Sequence, residues 1–170
     1  MTLQRLRKIA LTPFLLLALP AAAAYDVRGV ALGAQEKDIR KALPSAHCKA
    51  LEWQSSAADR RCDDSRVAFG GIEVKVTFYL KKGVLEAFDL RFDTKELERF
   101  VGFLKSRYGP PQSESRDSIP KGKGKSSRDV HRVLWERGGE RAVLTAQLEK
   151  SRAALLVYRG GFEEEIYRVR

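Results

Sequence analysis

The chain predicts an α+β fold: one antiparallel sheet of five or six strands with two helices on a single face. Three observations carry that expectation. Ile72, Val74, Val76, Phe78 and Leu80 alternate with Glu73, Lys75, Thr77, Tyr79 and Lys81, a period of two that marks a half-buried strand. Leu97, Phe100, Val101, Leu104 and Tyr108 recur at three- and four-residue spacing, one apolar stripe of a helix. Short glycine-bearing turns join neighbouring apolar runs, and strands connected that tightly are antiparallel.

In chain order, residues 25–32 form a short extended segment ending at Gly33. Residues 35–43 place Ile39 and Leu43 four apart, and Pro44 stops that helix. The strand at 72–81 turns at Lys82-Gly83 and returns with Phe88, Leu90 and Phe92 on its apolar face. Asp93 and Glu96 have the spacing of a capping box ahead of the second helix, which Gly109 and Pro110-Pro111 terminate. Residues 112–129 are polar and read as a long exposed loop. Strands follow at 130–137, 140–149 and 153–159, the first turning at Gly138-Gly139. The order is helix then strands, twice over, a pseudo-repeat that packs both helices on one side of the sheet.

Residues 1–24, MTLQRLRKIALTPFLLLALPAAAA, read as a removable signal peptide. Arg5, Arg7 and Lys8 supply its positive start. Ala22 and Ala24 supply the small residues that signal peptidase accepts, which places cleavage between Ala24 and Tyr25. The apolar run is shorter than the roughly 20 residues a spanning helix needs, and Tyr25 stands where a lipoprotein needs cysteine. The expectation is a soluble, unlipidated periplasmic protein, with residues 25–170 forming one domain that needs no metal to build its core. Removing the signal takes the net charge from +10 to +7.

Cys48 and Cys62 are the only cysteines, and in an exported chain such a pair forms one disulfide. Their spacing lacks the Cys-x-x-Cys geometry that tunes redox thiolates. His47, Cys48, Cys62, Asp63 and Asp64 do not make a zinc site, because the disulfide removes two ligands. Lys121-Gly122-Lys123-Gly124-Lys125-Ser126 resembles the end of a phosphate-binding loop, but Ile119 stands where the motif needs glycine. No serine or cysteine sits in a glycine-flanked elbow, His131 has no evident partner, and Glu163-Glu164-Glu165 is a charge run. Catalytic residues, cofactors and metals are therefore none. No stretch combines aromatic and basic residues as a nucleic-acid reader does, so nucleic acid is excluded as a partner.

Two surfaces remain. The outer sheet face presents Lys75, Thr77, Tyr79 and Arg91, together with Glu73, Asp89, Arg141, Thr145 and Gln147, and such a face is either wet or a docking surface. The basic stretch Lys121, Lys123, Lys125 and Arg128 offers weak contact with anionic lipid or glycan.

Val30-Ala31-Leu32-Gly33, Ala42-Leu43-Pro44, Tyr79-Leu80-Lys81-Lys82-Gly83-Val84-Leu85 and Arg107-Tyr108-Gly109-Pro110-Pro111 carry a family likeness. In plan the chain resembles the bacterial β-lactamase-inhibitor-protein-like fold, shared with small outer-membrane assembly lipoproteins. It also resembles exported proteobacterial proteins of unassigned function. The resemblance implies protein binding through the sheet face and no catalytic residues. The leading functional expectation is a non-enzymatic periplasmic module that binds an envelope protein. A surface-associating protein using the basic stretch, and an envelope hydrolase resting on address alone, are the alternatives.

Overall fold

The computed structural model describes residues 25–119 and 128–162. The signal sequence up to Ala24, the lysines Lys121, Lys123 and Lys125, and the run Glu163-Glu164-Glu165 lie outside the described residues.

The chain is α+β and mostly antiparallel sheet. Its elements are β1 (Asp26–Val27), β2 (Val30–Ala31), α1 (Glu36–Ala42), β3 (His47–Ala50), β4 (Arg60–Phe69), β5 (Ile72–Lys81), β6 (Val84–Phe92), α2 (Leu97–Tyr108), β7 (Ser113–Ile119), β8 (Arg128–Arg137), β9 (Glu140–Gln147) and β10 (Arg152–Arg159). The main sheet has eight strands in the order β3-β4-β5-β6-β10-β9-β8-β7, while β1 and β2 form a separate hairpin. Each half is a helix followed by a four-stranded meander, and the two meanders meet where β6 pairs with β10.

Eight strands replace the five or six expected, for reasons visible in three segments. In β4 a bulge between Asp64 and Val67 shifts the register, so the buried positions Cys62 and Asp64 fall out of phase with Val67 and Phe69. A phase shift of one residue erases period-two patterning without breaking the strand. The segment β3 has only four residues, one of them paired through a disulfide. The run SESRDSI, read as loop, is β7: it pairs with β8 from Ser113↔Leu134 to Ile119↔Arg128 and lacks an apolar stripe because it is the sheet edge. The exposed loop expected at 112–129 is thus mostly strand at its first half.

One core fills the side of the sheet that faces the helices. Ile39 of α1 and Leu97, Phe100, Val101, Leu104 and Tyr108 of α2 join Val76, Phe78, Phe88, Leu90, Trp135, Leu144 and Leu155 in a single buried cluster. Burying each large side chain of this kind contributes about 1.5–3 kcal/mol. Asp93 caps not α2 itself but a 3-10 turn at Thr94–Glu96, accepting from the Lys95 amide at 2.9 Å, and α2 starts at Leu97. The end of α2 is as expected: Gly109 has φ 85°, and the Trp135 indole donates to its carbonyl at 2.9 Å.

Tyr25 belongs to this core. It is 2% exposed, its ring meets Tyr108 edge-on at 4.8 Å, and the Arg137 guanidinium lies over it at 5.8 Å. Burial raises the phenol pKa of Tyr25, and more strongly that of Tyr108. Beside them Asp26 takes an ion pair from Arg107 at 2.5 Å, which ties the opening hairpin to α2.

Candidate functional site

Strand alternation sends half of the side chains away from the helices, and these build the outer face. Its register is set by six strand pairings. Thr77 lies opposite Asp63 and Asp89, Tyr79 opposite Arg61 and Ala87, and Lys75 opposite Arg91. Beyond β6, Arg91 lies opposite Ala154, Ala154 opposite Thr145, Thr145 opposite Arg132, and Arg132 opposite Ser115. All four residues expected on this face are therefore on it, but they do not share one environment.

Tyr79 departs from the expected wet position. It points outward yet is 3% exposed, because Phe162 packs on it at 5.3 Å and the connection between β3 and β4 folds over the same end. A second buried cluster results, in which Tyr79, Ala87, Val143, Leu156, Tyr158 and Phe162 are joined by Leu51, Trp53 and Ala58. Trp53 faces the Arg61 guanidinium at 5.8 Å, so its indole serves this outer cover. Alternation alone fixes which side a residue takes and says nothing about a cover contributed from distant sequence.

The connection is itself braced. The Ser55 hydroxyl accepts from the amides of Ala57 and Ala58 at 3.0 and 3.3 Å, and the Asp59 carboxylate accepts from the Lys82 amide at 2.8 Å. Ser55 and Asp59, two of the residues lining the depression beside Trp53, are thus engaged in holding the loop.

The other half of the outer face is open and ordered by charge. Lys75, Arg91 and Arg132 are exposed, and Thr77 is half-buried. Two acids of the face, Asp63 and Asp89, are held by partners, while Glu73 beside Lys75 is exposed. Asp63 accepts from the Thr77 hydroxyl at 2.8 Å and pairs with Arg61 at 2.9 Å. Asp89, 2% exposed, accepts from Arg91 Nε at 2.7 Å. Burial acts to lower the Arg91 pKa, but the Asp89 charge and hydrogen bond outweigh it and raise it. Further along, Arg141 is held by a Tyr158 hydrogen bond and pairs with Glu136 at 3.3 Å. Arg132 was not singled out from sequence; its alternation with buried Val133 and Trp135 was the signal that could have found it.

Two other clusters carry titratable groups. His131 is 1% exposed on the helix side, with Nε2 at 2.9 Å from Glu114 Oε1, while Glu114 also takes Lys105 of α2 at 2.7 Å. The Lys105 hydrogen bond, with His131 assisting against burial, lowers the Glu114 pKa. This trio clamps α2 to β7 and β8. Glu36 lies near Cys48 and Cys62, but those sulfurs are bonded to each other and supply no thiolate. The expected disulfide forms, and it joins directly opposed residues of β3 and β4; His47 beside it is exposed. Arg128 is placed by register at the start of β8, opposite Ile119.

Among the described residues no helix is long and apolar enough to cross a membrane. In comparisons with known proteins, no family model, no curated protein and no solved structure matches this chain.

Proposed function

We propose that the chain is a non-enzymatic, exported binding module that docks a protein partner on the open half of its outer sheet face. The observation that carries this reading is the placement of exposed Lys75 and Arg91 directly opposite each other on a broad eight-stranded sheet, beside half-buried Thr77. A sheet braced on one side by two helices keeps such side chains at fixed spacing, and preorganised surfaces lose little entropy on binding. The likeness in plan to the β-lactamase-inhibitor-protein-like fold belongs to this reading, since it implies a protein partner at the sheet face.

Export with cleavage between Ala24 and Tyr25 is part of the same proposal. The Cys48–Cys62 disulfide suits an oxidising compartment. Cleavage there also leaves the buried Tyr25 ring in its place against Tyr108.

The test is capture from envelope extract by the purified chain, with Thr77→Arg and Lys75→Trp as blocks on the outer face and Lys41→Glu as a control on exposed α1. Wild type and Lys41→Glu should retain a common partner, and both blocked variants should lose it while keeping the wild-type melting profile. Equal retention by all four proteins contradicts the reading.

A further inference from the structure

The eight-stranded sheet ends differently on its two sides. At one end β3 is four residues long, and so short an edge offers little to a further strand. At the other end β7 runs for seven residues, and no bulge interrupts its pairing with β8 from Ser113 to Ile119. Neither Pro nor Gly occurs in its sequence, SESRDSI. Among the described residues no strand pairs with the outer edge of β7. Such an edge presents a row of main-chain N–H and C=O groups, a template for one more strand.

The charges on β7 decide which strand fits. Glu114 and Arg116 both take the helix side, where Glu114 accepts from Lys105 of α2 at 2.7 Å and Arg116 donates to Glu98 of α2 at 2.8 Å. Ser113, Ser115 and Asp117 take the outer side by alternation. Two copies of β7 paired antiparallel about a two-fold axis normal to the sheet keep every residue on its own face, so a residue can oppose only those an even number of steps away. Centring the pair on Arg116 sets that cation against its own copy, and centring on Glu114 or Asp117 does the same with an acid. Like charges directly opposed are destabilising. Centring on Ser115 instead sets Glu114 against Arg116 twice and Ser113 against Asp117 twice, with no like pair. The partners these side chains already hold extend the pattern rather than block it. Lys105, Glu114, then Arg116 of the second copy and its Glu98 alternate in sign across the seam.

We infer that β7 pairs antiparallel with β7 of a second copy of this chain, centred on Ser115, and joins two eight-stranded sheets into one. Main-chain hydrogen bonds supply the attraction, and the charges that would discourage a foreign strand select this register. The helices of both copies then lie on one side and both outer faces on the other. The edge is distinct from the Lys75–Arg91 surface, so this inference goes beyond the docking reading above and stands or falls apart from it.

Cysteine crosslinking reads the register. Both native cysteines are held in the Cys48–Cys62 disulfide, so an added thiol reports alone. Ser115→Cys opposes itself across the seam at a Cβ separation of about 5 Å, close to what a disulfide needs. Ser113→Cys and Asp117→Cys each lie about 14 Å from their own copy, four residue steps along the strand, but oppose one another. Under copper–phenanthroline oxidation Ser115→Cys should form covalent dimer at least about tenfold faster than either of the other two alone. A mixture of Ser113→Cys and Asp117→Cys should give the mixed dimer. Similar rates from all three single variants indicate random collision and overturn the register.

Sedimentation velocity reads the association itself, and wild type should show a monomer–dimer equilibrium over a rising concentration series. Arg116→Glu sets an acid against Glu114 on both sides of the axis and should weaken the dimer at least about tenfold. Lys41→Glu, the same charge change on exposed α1, should leave it within about twofold. Wild type that stays monomeric at every concentration, or a dimer undiminished by Arg116→Glu, overturns the proposal. A monomer whose residue 115 crosslinks instead to an envelope protein gives the edge to a foreign strand, and self-pairing is then wrong.

Discussion

Asp89 Oδ2 accepts a hydrogen bond from Arg91 Nε at 2.7 Å across one step of the same strand face, with the acid side chain 3% exposed and the arginine side chain 50% exposed. A buried carboxylate thus anchors a solvent-facing cation in the middle of the outer face. Arg91→Ala removes the Nε hydrogen bond from that buried carboxylate, and the expected cost is about 1–3 kcal/mol in chemical denaturation. Arg91→Lys should recover part of it. An Arg91→Ala protein as stable as wild type removes the anchoring role.

Cys48 and Cys62 oppose each other on β3 and β4 and close a loop with a sequence separation of 14. Replacing both by serine should cost roughly 3 kcal/mol if the constraint acts on the unfolded chain. For a domain of this size that lowers the melting temperature by roughly 6–12 °C. The readout is thermal unfolding of the oxidised wild type against the double variant. Indistinguishable melts contradict the account.

Two turn glycines separate conformational strain from packing. Gly70 has φ +62° and an added Cβ would lie 2.6 Å from Phe103 Cδ1, whereas Gly83 has φ +79° and nothing within 4 Å. Gly83→Ala should cost about 1–2 kcal/mol, the left-handed penalty alone. Gly70→Ala should cost clearly more, because the α2 ring must also move. Denaturant midpoints compare them directly, and equal losses refute the packing term.

The Glu36 carboxylate accepts from Arg60 Nε at 2.7 Å and from Arg40 Nη2 at 2.7 Å, tying α1 to β4. The Arg60 hydrogen bond first, then that of Arg40, holds its pKa below the ordinary 4.5. A lowered folded-state pKa gives stability that is present above the unfolded value and lost as pH falls through the folded one. Wild type should therefore lose stability as pH falls below 4.5, and Glu36→Gln should flatten that part of the profile. Glu114, lowered chiefly by Lys105, should contribute in the same direction. A Glu36→Gln profile parallel to wild type counts against the pair.

The strongly patterned elements were legible in the sequence. Ile72 to Leu80 alternate because both faces of β5 have different neighbours, and Phe100 to Tyr108 keep one stripe because α2 packs on one side only. The bulge after Asp64 and the stripe-free edge strand β7 hid their strands, since neither leaves a local period to read. On the candidate face, Lys75 and Arg91 were visible, but their direct opposition is a matter of register. Arg132 joins their row only through three further strand pairings. Tyr79 was misplaced because its cover, Phe162 and the Leu51–Trp53 region, comes from sequence far away.

The most direct test of binding through the outer face is photo-crosslinking in intact envelopes, with benzoylphenylalanine placed at residue 75 or at residue 41. The account predicts a discrete adduct from position 75, an exposed position of β5 opposite Arg91, and none from position 41 on α1. An adduct from position 41 with none from position 75 would contradict it.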